Sequence, residues 1–289
     1  MMKFLGLLSV SIFALTASNI YAKDWNKVDK CNPDKAACQL GLYGVIEEPN
    51  LSNGKVVFDF DTDGCLASAP VVRNGTSFKV NPGTKNTGAL DGQCAYRDQL
   101  QRANILFKEI CSKNNKEYCV RIFALYTVKD MAAAGAWDPF GHKHDFEHAV
   151  LWMKSNNVEY VGTSNHGNLT NTKAKDFPRL SANLFDTENF NTFTVVYHKH
   201  GARTHALRKS KSKIIGNITV TTETPENPEK KWVLPNIINI NDSKLDPGYL
   251  NVVNNGDWGD AKLELKESRI HDFIQAKRPK EWKDSKIDF

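Results

Sequence analysis

The most regular hydrophobic segments of this chain are short, β-branched or aromatic, and separated by turn formers. Lys55–Phe60 (KVVFDF) predicts a strand that closes on the turn Asp61-Thr62-Asp63-Gly64. Val120–Val128 (VRIFALYTV) is an almost unbroken apolar run, the pattern of a buried strand. A loop containing Gly135 and Pro139 follows, and then a hairpin pattern: Glu147–Met153, the turn Lys154-Ser155-Asn156-Asn157, and Val158–Thr163. Phe193–His198 and Arg203–Arg208, joined through Gly201, predict a second hairpin, while Ile214–Val220 and Trp232–Ile240 predict further strands. Residues 73–95, rich in Gly, Asn and Thr, read as a long loop. In Tyr96–Ile110 the spacing of Leu100, Ala103, Ile105, Leu106 and Ile110 predicts a helix, part of which could be extended. Trp152 and Trp232 fall in strand patterns and are expected in the core, and the tail from Ala261 is charged and loosely periodic. Many short strands without alternating helices predict an all-β-dominated fold, a β-sandwich of antiparallel sheets with peripheral helices.

The amino terminus has a different pattern. Lys3 precedes an apolar run from Phe4 to Ala17, and small residues end at Ala22 before Lys23. A positive start, a short apolar core and a small residue at the cut predict a secretory signal peptide over residues 1–22. The run is shorter than the ~20 apolar residues that cross a bilayer. Residues 23–50 then read as an N-terminal extension and residues 51–289 as one large domain, secreted and extracellular. The net charge of +5 is a solubility feature, far below a nucleic-acid-binding signature. Six cysteines in an exported chain imply disulfides, although six allow 15 pairings. Neighbours in sequence suggest Cys31–Cys38 and Cys111–Cys119, which leaves Cys65–Cys94.

Candidate chemistry is concentrated in Gly141-His142-Lys143-His144-Asp145-Phe146-Glu147-His148, where five of eight side chains can bind a metal or move a proton. Asp130 joins them if the intervening loop folds back. Carboxylates with one imidazole favour a hard or intermediate divalent ion over structural zinc. In an extended chain Asp145 and Glu147 share a face, and His142 reaches them only if Gly141–Lys143 turns. By composition alone, the same stretch is equally a polar loop with satisfied surface histidines and, less readily, an acid–base site. His166, in Ser164-Asn165-His166-Gly167, reads as a solvated turn histidine. The run Arg208–Lys213 reads as a solvated face that could meet anionic lipid, and sequons occur at Asn74 and Asn217.

The heptapeptide Gly141–Glu147 resembles the Gly-His-Arg-His-Asp-Trp-Glu motif of the necrosis- and ethylene-inducing peptide-like proteins, with Lys143 for Arg and Phe146 for Trp. Phe123–Asp130 partly matches that family's upstream strand. Val195–Lys199 with Thr204–Arg208 resembles its YHK…THALR pair, and Asn254–Ala261 its Asn-x-x-x-Trp-Gly-x-Ala segment. Cys111, Cys119 and the stretch Gly88–Arg97 resemble the branch with an additional disulfide. The resemblance implies an actinoporin- and lectin-like β-sandwich. It also implies a non-enzymatic cytolysin that binds the sugar headgroup of plant plasma-membrane sphingolipids, the glycosylinositol phosphorylceramides, as a monomer in solution. It implies a Mg²⁺ or Ca²⁺ site of Asp130, His142, Asp145 and Glu147, with His144 and His205 near the metal or headgroup. Trp137 and Phe140, in the loop before the motif, are either a membrane-touching tip or loop-packing aromatics.

Overall fold

The computed structural model describes residues 23–42, 49–283 and 286–289, so the expected signal peptide at 1–22 and part of the 23–50 extension lie outside the described residues. The centre is a six-stranded sheet in the order β13-β4-β5-β6-β7-β8. Its strands are β4 (Asn104–Cys111), β5 (Tyr118–Asp130), β6 (His142–Lys154), β7 (Asn157–Asn165), β8 (Asn168–Lys173) and β13 (Asn236–Asn239). A three-stranded sheet, β1-β9-β10, packs on one face, built from β1 (Lys55–Phe60), β9 (Thr192–Lys199) and β10 (His205–Lys209). Two small hairpins complete the strands among the described residues, β2 (Val71–Asn74) with β3 (Ser77–Val80) and β11 (Ser212–Ile215) with β12 (Ile218–Thr221).

Alternation along β5 and β6 explains the layering. Odd positions Phe123, Leu125, Ala149, Leu151 and Met153 share one apolar cluster with Val56, Phe58, Phe60, Phe193, Val195 and Leu207 of the small sheet. Even positions Ile122, Ala124, Tyr126, Val150 and Trp152 join a second cluster with Tyr249, Val253, Ile270, Ile274, Trp282 and Phe289. Those partners come from helices α2 (Pro247–Asn255) and α3 (Glu267–Lys277) and from the carboxyl-terminal tail; a further helix, α1, is the single turn Thr187–Phe190. A strand buried on both faces carries little sequence periodicity. The cysteines pair as Cys31–Cys38, Cys65–Cys94 and Cys111–Cys119, the last between directly paired positions of β4 and β5.

Several expectations differ from this arrangement. Tyr96–Ile110 holds only a 3₁₀ turn at Gln99–Arg102 before β4, because Ile105 and Phe107 face one apolar layer and Leu106 the other, and that pattern imitates a helical stripe. Residues 73–95 are not all loop, since β3 pairs back on β2 there. Two pairings, β1 with β9 and β13 with β4, are parallel, so the sheets are not wholly antiparallel. Trp232 is only partly buried, because the strand expected over 232–240 shortens to β13. The loosely periodic tail becomes α3, whose Ile270, Phe273 and Ile274 are buried.

Candidate metal centre

The carboxyl-terminal end of β5 and the amino-terminal end of β6 meet in register, with Thr127 opposite Asp145 and Asp130 opposite His142. Strict alternation would put His142 and Asp145 on opposite faces. His144 lies between them with φ of 61°, and this left-handed residue interrupts the alternation. Asp130, His142 and Asp145 consequently each offer a ligand atom within 4.8 Å of the others. The anticipated turn at Gly141–Lys143 is absent: His142 and Lys143 already belong to β6. His144 itself does not line the cavity. Its Nδ1 is 2.7 Å from the Tyr126 hydroxyl, and its ring meets Trp258 edge-on on the helix-covered side.

Each ligand candidate is held by a specific partner. His142 donates from Nδ1 to the His144 carbonyl at 2.6 Å, which leaves the Nε2 lone pair for the cavity. Asp130 Oδ1 accepts from His205 Nδ1 at 2.6 Å, and the backbone N–H groups of His205 and Met131 also point at this carboxylate. His205 stacks on Tyr197 with ring centroids 5.0 Å apart, and the Tyr197 hydroxyl donates to Asp145 Oδ2 at 3.4 Å. Gly64 makes room for this stack, since a Cβ there would approach His205 Nε2 to 2.5 Å. Glu147 lines the same cavity, where its carboxylate accepts a short hydrogen bond from the Ser164 hydroxyl. The cavity has a volume of about 180 Å³, and Thr204, Asp260 and Glu264 add to its wall. His166, read from sequence as a solvated turn residue, is also on that wall.

Electrostatics set this cavity apart. Burial, and then the neighbouring Asp130 charge, pushes Asp145 up to about 7. Burial and then the Asp145 charge push Glu147 well above the ordinary carboxylate range. Burial lowers the His142 pKa, but Asp145, the His144 carbonyl, Asp130 and Asp260 outweigh it, and the net direction is upward. Crowded, desolvated carboxylates of this kind are costly until a cation joins them. Oxygen donors with one oriented imidazole suit a hard or intermediate divalent ion, so the residues present fit the metal that the sequence motif implies.

Ser164, Thr204, Asp260 and Tyr197 escaped sequence reasoning as site residues. Asp260 belongs to the Asn254–Ala261 motif and could have been found there, whereas Ser164 carries no signal beyond the end of a strand. Trp137 and Phe140 are 69% and 76% exposed at the loop joining β5 to β6. That loop is pinned from within. Asp138 accepts from the N–H groups of Ala132, Ala133 and Phe140, and Asn86 donates to the carbonyls of Asp138 and Gly141.

The model of one protein family, described as "Necrosis inducing protein (NPP1)", matches residues 55–276. A curated relative, NLP effector protein 2 of Plasmopara viticola, is 30% identical over 86 residues, which is 29% of this chain and 33% of the relative, so the match spans about a third of that relative's length. Among solved structures, necrosis- and ethylene-inducing protein 2 from the causal agent of cocoa's witches' broom disease superposes with a TM-score of 0.58 at 17% identity, covering 88% of this chain and 97% of that one. The non-toxic HaNLP3 protein gives 0.59 at 14% identity over 83% of this chain and 97% of its own. NLPPya in complex with mannosamine gives 0.54 at 16% identity over 81% of this chain and 94% of its own. At these identities the likeness carries the fold alone.

Proposed function

Because the chain belongs to the necrosis-inducing protein (NPP1) family, whose model spans residues 55–276, we propose that it is a secreted, metal-dependent cytolysin that binds the sugar headgroup of plant plasma-membrane sphingolipids. The observation that carries this reading is the convergence of Asp130, His142 and Asp145 on one solvent-connected cavity. On this reading residues 1–22 are the cleaved signal peptide, residues 23–50 an extension, and residues 51–289 one functional domain that is monomeric in solution. Solved relatives in complex with mannosamine and with glucosamine support a sugar-directed cavity.

Asp130, His142 and Asp145 would hold Mg²⁺ or Ca²⁺, with Glu147 completing the donor set. When bound, the ion supplies a positive centre that accepts sugar hydroxyl oxygens. The chain does the rest. His142 presents Nε2 because its other nitrogen is tied to the His144 carbonyl. His205 and Tyr197 hold Asp130 and Asp145 in place, and Asp260 and Thr204 offer hydrogen-bond partners at the wall. No bond of the lipid is broken, and the protein is not an enzyme in this reading. Trp137 and Phe140, displayed on a pinned loop, would enter the bilayer interface beside the captured headgroup.

A second reading, a non-toxic carbohydrate- or lipid-binding member, is favoured by Phe146 and Lys143 at positions where the resembling motif has Trp and Arg. The deciding experiment is dye leakage from vesicles containing glycosylinositol phosphorylceramide, with and without chelator. Chelator-sensitive leakage supports the cytolysin. Binding without leakage supports the second reading, and turnover of a glycoside or phosphoester by the metal-loaded protein would contradict both.

A further inference from the structure

At the rim of the acidic cavity, a second pair of metal-ligating side chains lies where two hairpin tips meet. The β7–β8 turn carries His166 at φ 49° beside Gly167 at φ 80°, a two-residue turn in which both positions are left-handed. The β9–β10 connection carries His200, one residue beyond the end of β9. The first tip belongs to the six-stranded sheet and the second to the three-stranded sheet, and both contribute to the cavity wall, through His166 to Asn168 and through Thr204. The two tips touch through imidazoles. His166 Nε2 lies 3.0 Å from His200 Nδ1, and the rings are stacked with centroids 5.2 Å apart. His198, at the end of β9, places its ring 5.8 Å from that of His200.

We propose that His166 and His200 form a second metal site, specific for a borderline divalent ion such as Zn²⁺ or Cu²⁺, which ties the two hairpin tips together beside the cavity mouth. The two nitrogens are hydrogen-bonded to each other, and their spacing also suits such an ion. Two Zn–N bonds of about 2.0–2.1 Å at an angle between square and tetrahedral separate their nitrogens by about 2.9–3.4 Å. The present 3.0 Å lies within that range. The Thr204 hydroxyl sits 3.4 Å from His166 Nδ1, in place to accept the proton that fixes Nε2 as the ligand atom. His200 has only to carry its proton on Nε2 rather than Nδ1, a tautomer shift through solvent that changes no net charge. Burial first, then the neighbouring His200 and Arg203, hold the His166 pKa below its ordinary value, so its imidazole is neutral and able to ligate near pH 7. Imidazole donors without a carboxylate favour Zn²⁺, Cu²⁺ or Ni²⁺ over Mg²⁺ or Ca²⁺, the reverse of the preference in the cavity. Water would complete the shell.

The consequence is a protein with two metal sites of opposite preference. The test is Zn²⁺ titration of the mature chain against a chromophoric chelator, for the parent protein and for His166→Ala, His200→Ala and Asp145→Ala. His200 is exposed, so its replacement leaves the fold in place, and thermal unfolding of each variant checks this. At least a tenfold loss of Zn²⁺ affinity in His166→Ala and in His200→Ala, with Zn²⁺ binding retained in Asp145→Ala, is the expected result. Unchanged Zn²⁺ affinity in the two histidine variants, or loss of all Zn²⁺ binding in Asp145→Ala, would overturn the second site. Neither outcome depends on the headgroup reading, which is tested by Mg²⁺ or Ca²⁺ and leakage.

Discussion

The two halves of β6 share one strand and one degree of burial but differ in chemistry. Ala149, Val150, Leu151 and Trp152 are fully buried, and each meets an apolar partner in one of the two layers. Asp145, Glu147 and His148 are 7%, 6% and 3% exposed, yet they face other ionisable groups across a cavity. The apolar half stabilises the fold by burial and dispersion. The polar half is costly to bury and carries raised carboxylate pKa values as the sign of that cost. Burial therefore does not distinguish structure from function in this strand. Whether the buried group is matched by its surroundings does.

Substitutions separate the halves. Asp145→Ala is expected to lower Ca²⁺ or Mg²⁺ affinity and lipid-vesicle leakage by at least about a hundredfold, the upper end of what loss of a partner behind a ligand costs. The metal-free protein keeps its urea midpoint or gains stability, because a mismatched buried charge is removed. Leu151→Ala reverses the pattern. It should cost about 2–5 kcal/mol in urea unfolding while metal affinity of the folded fraction is unchanged. If Leu151→Ala and Asp145→Ala both acted on stability alone, the contrast between the halves would disappear.

Acidity provides a second contrast, with opposite signs. Burial holds His148 down to about 4, and its Nε2 accepts from the Glu264 N–H at 3.2 Å. This stability is present above the ordinary histidine pKa and lost as pH falls from about 6.5 to about 4, amounting to ~3 kcal/mol. Asp145, raised to about 7, acts the other way: its contribution is present below the ordinary carboxylate pKa and lost as pH rises towards 7. Urea midpoints from pH 4 to 8 should show the acid-side loss in the parent protein and not in His148→Phe. The loss towards pH 7 should shrink when Ca²⁺ is added and be smaller in Asp145→Ala, where burial still raises Glu147.

The smallest effects on stability belong to the loop between β5 and β6. Trp137→Ala and Phe140→Ala remove exposed rings, so unfolding should shift by no more than about 0.5 kcal/mol. Binding to sphingolipid vesicles should fall about tenfold or more for each ring, since burying such a side chain contributes ~1.5–3 kcal/mol. Full retention of vesicle binding would show that the rings do not enter the interface.

Strands with clear turn signals were legible in the sequence. The hairpins of β6 with β7 and β9 with β10 follow from Asn-rich or Gly-containing turns between β-branched runs. β4 was not legible as a strand, because Leu106 and Phe107 point to different apolar layers and leave no alternation to detect. The helical layer was hidden for a related reason: α2 and α3 bury few residues each, and Tyr249 and Val253 give α2 only a narrow stripe. For the site, the motif identified the candidate donors, but the device that aligns His142 with Asp145 was invisible. No residue pattern announced that His144 would be left-handed. The resemblance places His205 near the site, but its bond to Asp130, 75 positions away, depends on the stacking of two sheets, which a linear reading does not supply.

The most direct test of the cavity assignment is anomalous diffraction from crystals soaked in Mn²⁺, which substitutes for Mg²⁺ or Ca²⁺ at oxygen-rich sites. A single strong peak within ligand distance of Asp130, His142 and Asp145, absent from Asp145→Ala crystals, is the predicted result. A peak elsewhere, or none at millimolar Mn²⁺ with these three side chains ordered, would contradict it.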